Sequence, residues 1–339
     1  MKIGAVYNTG VSNAHYRAIW PLAGLEQRGH EVGFMIEGAD GGLDPRPLEG
    51  CDVVHVYRTG NPVLAKALVR FRRQGTAVVF DNDDDHRLMP HGTPDREKYV
   101  GFTGQREFRF QAQMMKRADV LTTTTARLAE RFAHEFDGPI EVIENHLAPF
   151  QFAKDRHDHD GILIGWVAAQ EHRADVQQLR LTEMLRRVME RDKRIRVETL
   201  GVRLHLDPSR YNFAGVVPFE RLADHIGRFD IGIAPIADHP MSHVRSNVKV
   251  KEYAAAGVPW VASARGSYLS LGRNCGGVIV ADDAWEDTLV DLAGSRLKRR
   301  LMRRQAQAWA KTQRIENHLD RWEAVMNLAV ESAARQVVA

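Results

Sequence analysis

Short apolar runs alternate with longer segments of helical periodicity almost from one end of the chain to the other. The runs at 3–7, 31–36, 53–57, 77–81, 120–123 and 140–143 have strand length and are rich in Val and Ile. Between them, 16–28, 62–74, 106–117 and 125–135 carry apolar residues at helical spacing. Strand and helix alternating through short connections predict an α/β protein with parallel sheets covered by helices on both faces. The segment 148–161 (APFQFAKDRHDHDG) is polar, charged and without period, and reads as a linker between domains. The pattern then restarts, with strands at 162–167, 195–200, 212–214, 231–235, 260–263 and 278–280. Helices are predicted at 183–191, 220–226, 249–256 and 285–293, and the tail after Ser295 is helical in composition. Two doubly wound halves facing each other place a ligand cleft between them, because open parallel sheets bind ligands beyond the carboxyl ends of their strands.

Composition narrows the class without naming a function. A length of 339 residues favours two domains, and 44% hydrophobic with 27% charged residues excludes wholesale disorder and fibrous repeats. A formal charge of +3 gives no argument for nucleic acid. The two cysteines, Cys51 and Cys275, lie too far apart for a metal-type spacing or a disulfide framework. No apolar run reaches the 18 residues of a membrane-spanning helix, and MKIGAVYN at the N-terminus reads as a strand and not a signal peptide. The expectation is a cytoplasmic enzyme.

The densest chemical signal is 245–263, RSNVKVKEYAAAGVPWVAS. Ser246 and Asn247 are N-cap residue types, and the helix they open stops at Gly257 with Pro259 close behind. A helix N-terminus gathers unpaired N–H groups and partial positive charge, which suits a phosphate. Lys249 in the first turn adds a full charge, and Glu252 one turn on can accept hydrogen bonds from sugar hydroxyls. An ordinary capped helix with a solvated Lys/Glu face fits the same residues.

Four other stretches carry possible chemistry. In 8–17 (NTGVSNAHYR), Gly10, Ser12 and Asn13 allow tight turning. His15 there can take a proton from an acceptor hydroxyl, or simply pack locally. In the turn 165–175, Gly165 lets backbone approach a diphosphate, His172 offers a donor and Asp175 a cap for the next helix, although a plain strand–helix loop explains them equally. The acidic DNDDDH, from Asp81 to His86, could hold a hard cation, which defines a rival reading as a metal-dependent hydrolase or phosphotransferase. Its crowded carboxylates could instead raise one pKa, or form a turn in which Asp81 and Asp84 cap. From Arg296 to Arg304 (RLKRRLMRR), six basic residues surround Leu297, Leu301 and Met302. Such a run is either a solvated helix face or a peripheral contact with an anionic membrane. Trp309 and Trp322 read as packing residues of the terminal helices.

The run SNVKVKEYAAAGVPWVAS resembles the donor-site signature of family 4 and related glycosyltransferases of the GT-B fold: S-N-x-K-x-x-E-Y, a small-residue turn, then G-x-P-x-V-A-S. Further features follow in the family's order: Arg28-Gly29-His30-Glu31-Val32 after the first helix, Asp83-Asp84-Asp85 after an N-domain strand, and Ile164-Gly165-Trp166 with His172 and Asp175 opening the second domain. FDIGIAP at 229–235 and a Trp-containing C-terminal helix at 308–325 complete the series, which spans nearly the whole chain.

The resemblance implies two facing Rossmann-like domains with doubly wound parallel sheets. Residues 1–150 would form the acceptor side, 161–312 would bind a nucleotide sugar, and 313–339 would pack back toward the first domain. The activity implied is transfer of a sugar from a nucleoside diphosphate sugar to an acceptor hydroxyl, with retention and no metal. Ser246, Asn247 and Lys249 would hold the diphosphate beside Gly165 and His172, and Glu252 the ribose. Lys249 and His15 would be catalytic, and Asn13, Asp83, His86 and His243 would contact substrate. The loop regions 202–206 and 216–219 would lie near the base. Two departures stand out: Val244 replaces the acidic residue that many members carry eight positions before Glu252, and 168–178 lacks the usual Arg-and-Lys pair. They keep open a catalytically silent subunit that binds a nucleotide sugar or glycan, and the fold also hosts epimerases acting on UDP-sugars.

Overall fold

The computed structural model describes residues 1–8, 13–38, 41–91, 96, 102–152 and 159–338. Gly10 and Ser12 of the first loop, and 153–158 of the expected linker, lie outside the described residues.

The first sheet holds β1 (Lys2–Asn8), β2 (Glu31–Glu37), β3 (Val53–Tyr57), β4 (Ala77–Asp81), β5 (Val120–Thr123) and β6 (Ile140–Val142). They lie in the order β2-β1-β3-β4-β5-β6, every pair parallel. The second holds β7 (Ile162–Val167), β8 (Ile195–Leu200), β9 (Tyr211–Gly215), β10 (Ile231–Ala234), β11 (Trp260–Ser263) and β12 (Gly277–Val280). Its order is β12-β11-β10-β7-β8-β9, again parallel throughout. Each strand expected from an apolar run is present to within one residue at either end. The central ones are the most legible, because β3 (VVHVY) and β4 (AVVFD) are buried on both faces and so read as unbroken runs.

Strand order reverses between β1 and β3 in the first sheet and between β7 and β10 in the second. The loops leaving β1 and β7 therefore open at switch points, where such sheets bind ligands. Two short helices, Arg173–Gln178 and Pro240–Val244, escape sequence reading because RADVQQ and PMSHV carry no apolar period. The first helix begins with a π turn, His15–Ile19, before continuing as Trp20–Gln27.

The C-terminal segment divides between the domains. The Arg296–Thr312 helix packs against the Val248–Ala255 helix. The last helix, Leu319–Val338, instead completes the first domain's core, where Trp322, Val325, Met326 and Ala329 pack with Ile3, Leu22, Leu25 and Val79. Polar contacts close the seam between domains. The fully buried Lys251 Nζ donates to Glu144 Oε2 at 2.7 Å and to the Asn145 carbonyl at 2.9 Å. Thr125 Oγ1 donates to the Val244 carbonyl at 3.0 Å, and the Val244 side chain sits in the first domain's apolar core.

Candidate functional site

The Val248–Ala255 helix carries Val250 and Tyr253 into the core of the second domain and Ala254 into a cluster with Tyr16 and Leu147, and Gly257 ends it in the left-handed region at φ +67°. Its N-terminus opens into the seam. Neither expected cap is made there. Asn247 has φ −91° and ψ 15°, not the extended backbone from which a cap side chain reaches back, and its buried Oδ1 has no hydrogen-bond partner. Ser246 Oγ instead accepts from Asn145 Nδ2 of the first domain at 3.3 Å.

A cavity of about 520 Å³ lies beside this helix, between the loops leaving β1 and β7. Asn13, His15 and Tyr16 line it from the first domain, and Lys249 and Glu252 from the second. Ala168, Ala169, Gly201, Gly215, Val216 and Phe219 are among its other wall residues. Gly201 is required there: at φ +84°, a Cβ would sit 1.9 Å from the Ala168 carbonyl oxygen. Glu252 is 5% exposed. Tyr16 OH donates to its Oε1 at 2.5 Å, whereas the buried Oε2 has no hydrogen bond and lies 3.5 Å from Lys249 Nζ. A carboxylate oxygen held dry and unsatisfied costs free energy until a donor reaches it.

The cavity thus gathers four of the residues singled out from sequence: Asn13, His15, Lys249 and Glu252. Asn13 Nδ2 also donates to Asp83 Oδ2 at 2.6 Å, which ties the loops after β1 and β4 together. His15 stacks on Phe219 with ring centroids 4.7 Å apart, and burial lowers its pKa against the pull of Glu220. Its Nδ1 is buried without a partner. His172 stands at the end of the β7 loop, with Nδ1 2.7 Å from Asp175 Oδ2. Burial, then the Arg245 charge, lowers its pKa.

Several expectations need correction. Gly165 lies inside β7, where a Cβ would strike the Phe229 ring at 2.0 Å. Its missing side chain makes room for packing, and Val167, Ala168 and Ala169 line the cavity instead. Asp175 lies within the Arg173–Gln178 helix and does not cap it. It accepts the Ala237 N–H at 2.7 Å and contacts His239 Nε2 at 3.1 Å and Arg245 at 3.3 Å. Burial favours its neutral form, but the hydrogen bonds from His172 and His239 outweigh this and hold its pKa well below the usual carboxylate range. Near the expected base site, Val202 and Leu204 belong to the second domain's core. His243 is half exposed, paired with Asp238 at 2.8 Å, and together with Asn247 lines a different groove, of about 890 Å³. Thr124, Arg131, Glu144 and Val244 also line that groove, on the far side of the helix N-terminus.

The acidic stretch disperses instead of converging. Asp81 takes a two-pronged ion pair from the buried Arg17, Nε to Oδ1 at 3.0 Å and Nη2 to Oδ2 at 2.7 Å. Asp83 accepts from Asn13, from Tyr57 OH at 2.9 Å and from Arg58 at 3.0 Å. Asp85 caps the His86–Leu88 turn and pairs with Arg87 and Arg131. Asp84 is not a cap, and burial and the adjacent Asp83 push its pKa up to about 7. His86 is buried in its turn, which packs on the Pro240–Val244 helix. Among the described residues no three His, Cys, Asp or Glu side chains are grouped to hold a metal ion.

Tyr16 was not singled out from sequence, since an aromatic at helical spacing reads as core. Arg245 was passed over as the edge of a motif, yet its guanidinium bridges His172, Asp175 and the Glu171 carbonyl. The basic run from Arg296 to Arg304 forms an outer helix face on which Leu297 is 66% and Leu301 50% exposed. No helix among the described residues is long and apolar enough to cross a membrane.

No family model and no curated protein matches the chain by sequence. Solved structures do match it. HepE from Anabaena, in complex with UDP and glucose, superposes with a TM-score of 0.64 at 14% identity over 96% of this chain and 98% of that one. Sucrose-phosphate synthase from Thermosynechococcus elongatus gives 0.60 at 15% identity over 100% and 99%. TarM of S. aureus gives 0.58 at 12% identity over 81% of this chain, which spans only 54% of TarM. These likenesses show the GT-B fold: two Rossmann-like domains facing across a cleft.

Proposed function

We propose that the chain is a glycosyltransferase that moves a sugar from a nucleoside diphosphate sugar to an acceptor hydroxyl, with retention and without a metal. The observation that carries this is Glu252, lining an interdomain cavity at a helix N-terminus, whose buried Oε2 has no hydrogen bond and has Lys249 of the same turn 3.5 Å away. A nucleotide supplies both missing complements, ribose hydroxyls for the carboxylate and a diphosphate for the ammonium and free N–H groups. The apolar walls beyond, including Val216, Val217 and Leu222, suit a base. HepE has been solved with UDP and with UDP-glucose, so uridine nucleotides are the first donors to test.

In this reading the sugar–oxygen bond breaks as negative charge grows on the leaving diphosphate. Lys249 and the helix N-terminus stabilise that charge in a site fixed before the reaction begins. The acceptor oxygen bonds to the anomeric carbon on the face the nucleoside diphosphate leaves, which retains the anomer, and His15, kept neutral by burial, accepts the hydroxyl proton. With Asp81, Asp83 and Asp85 committed to side chains of their own domain, a metal enters no step.

Incubation with UDP-glucose, UDP-N-acetylglucosamine, GDP-mannose and ADP-glucose, with and without EDTA, tests the reading. Released nucleoside diphosphate reports turnover and proton NMR of the product reports the anomer. EDTA-resistant release from one donor is expected; strict EDTA sensitivity, or inversion, would overturn the corresponding part. One observation favours a second reading, the silent subunit: Val244 fills an apolar contact with the first domain and offers a sugar no acceptor. Nucleotide binding without turnover across a broad acceptor panel would select it.

The proposal extends to the outer helix. Leu297 and Leu301 lie one turn apart among exposed Arg296, Arg300 and Arg304, a pattern that matches an anionic bilayer surface. Co-sedimentation with phosphatidylglycerol vesicles, absent with phosphatidylcholine and lost in Leu297→Glu, is expected. Equal recovery with both lipids would remove membrane contact from the account.

A further inference from the structure

Glu252 is gripped from the opposite domain. Tyr16, in the π turn His15–Ile19, is 2% exposed and donates its hydroxyl proton to Glu252 Oε1 at 2.5 Å across the seam. The same hydroxyl accepts from Gln151 Nε2 at 2.6 Å, and Gln151 Oε1 accepts the Ala148 N–H at 2.9 Å. The ring is held edge-on by Trp20, with centroids 4.9 Å apart, and by Phe219 at 5.7 Å. Burial, reinforced by the Glu252 charge, raises the phenol pKa well above its ordinary value, so the hydroxyl stays a donor. One carboxylate oxygen is therefore committed to the first domain and only Oε2 is left for a ligand.

We propose that Tyr16 is a positioning residue: the chain Gln151–Tyr16–Glu252 fixes the Glu252 carboxylate at the cavity wall with Oε2 left to a ligand, and does so only while the two domains are closed on each other. This rests on the reading of Glu252 as the acceptor for ribose hydroxyls. It makes nucleotide affinity conditional on closure, since parting the domains takes the Tyr16 hydroxyl away from Oε1 and frees the Glu252 carboxylate to rotate. By the reciprocity of linked equilibria, nucleotide then favours closure to the same degree.

The test compares UDP with 2′,3′-dideoxy-UDP by calorimetry on wild type, Tyr16→Phe, Glu252→Gln and the double variant, each checked for an unchanged melting transition. Tyr16→Phe removes one oxygen and keeps the ring stack, and Gln151→Leu serves as a second probe of the same chain. The wild type is expected to prefer UDP about tenfold. Tyr16→Phe should weaken UDP about tenfold while leaving the dideoxy analogue nearly unchanged, and should add little in the Glu252→Gln background. Equal weakening of both ligands, or full additivity with Glu252→Gln, would assign Tyr16 a merely structural role and overturn the inference. A folded wild type that binds both ligands equally, or neither, would overturn the Glu252 reading itself.

Discussion

Lys249 stands 3.5 Å from the Glu252 oxygen that lacks a hydrogen bond, so each side chain constrains the other until a ligand arrives. Lys249→Ala should lower kcat by roughly 10²–10³-fold, the scale of losing one fixed charge stabiliser, with little change in urea stability. Unchanged turnover in a folded variant would remove Lys249 from the mechanism. A different residue contributes to the acid limb of stability. His55 is fully buried, its ring nitrogens lack hydrogen bonds, and burial lowers its pKa to about 4 despite the Asp81 charge. The unfolded chain binds that proton near pH 6.5, so between pH 6.5 and 4 it holds more protons than the native state. Stability contributed by neutral His55 is therefore complete above pH 6.5 and falls as the pH drops toward 4, by about 3 kcal/mol on the two pKa values. Urea titrations of His55→Leu should show a flatter acid limb over this window; an identical limb would refute the assignment. Lys249 and Glu252 were legible in the sequence because a local helix pattern places them on one turn. Tyr16 was not, because its partner lies 236 residues away.

At the scale of elements, the π turn and the end of β4 are locked by the buried Arg17–Asp81 pair, with Arg17 also donating to the Ile143 carbonyl at 2.5 Å. Arg17→Met leaves Asp81 charged, dry and short of its main partner. It should cost about 3–5 kcal/mol in denaturant titrations, and a loss under 1 kcal/mol would show that Asp81 finds other compensation. Truncation after Thr312 removes Trp322, Val325, Met326 and Ala329 from a core that includes β1 and β4. Each of the three large side chains is worth at least about 1.5–3 kcal/mol, together on the scale of a whole domain's stability. The truncated chain should lose its cooperative near-ultraviolet transition, and a native transition would place the core elsewhere. The strands were readable because parallel strands buried on both faces leave continuous apolar runs. The helices Arg173–Gln178 and Pro240–Val244 were not, since tertiary contacts of Asp175 and His239 define them and no periodicity does.

At the scale of the molecule, the two switch points face each other, and the seam between them is closed by Lys251–Glu144, Thr125–Val244 and Tyr16–Glu252. Alternating pattern and motif order foretold the facing domains. They did not foretell that the cleft divides at the helix N-terminus into two spaces, with Asn13, His15, Lys249 and Glu252 in one and Asn247 and His243 in the other. That division comes from contacts between the domains, which neither half encodes alone. The acidic stretch shows the same limit: four aspartates close in sequence suggest one cation site, yet three are drawn to separate arginines by the fold around them.

The most direct test of the central claim is calorimetric titration of the folded chain with UDP, GDP, ADP and dTDP in the presence of EDTA, repeated on Glu252→Ala. The account predicts saturable binding of at least one nucleotide that survives EDTA and falls at least tenfold in Glu252→Ala. Absence of binding by every nucleotide to a folded wild type, or undiminished affinity in Glu252→Ala, would contradict it.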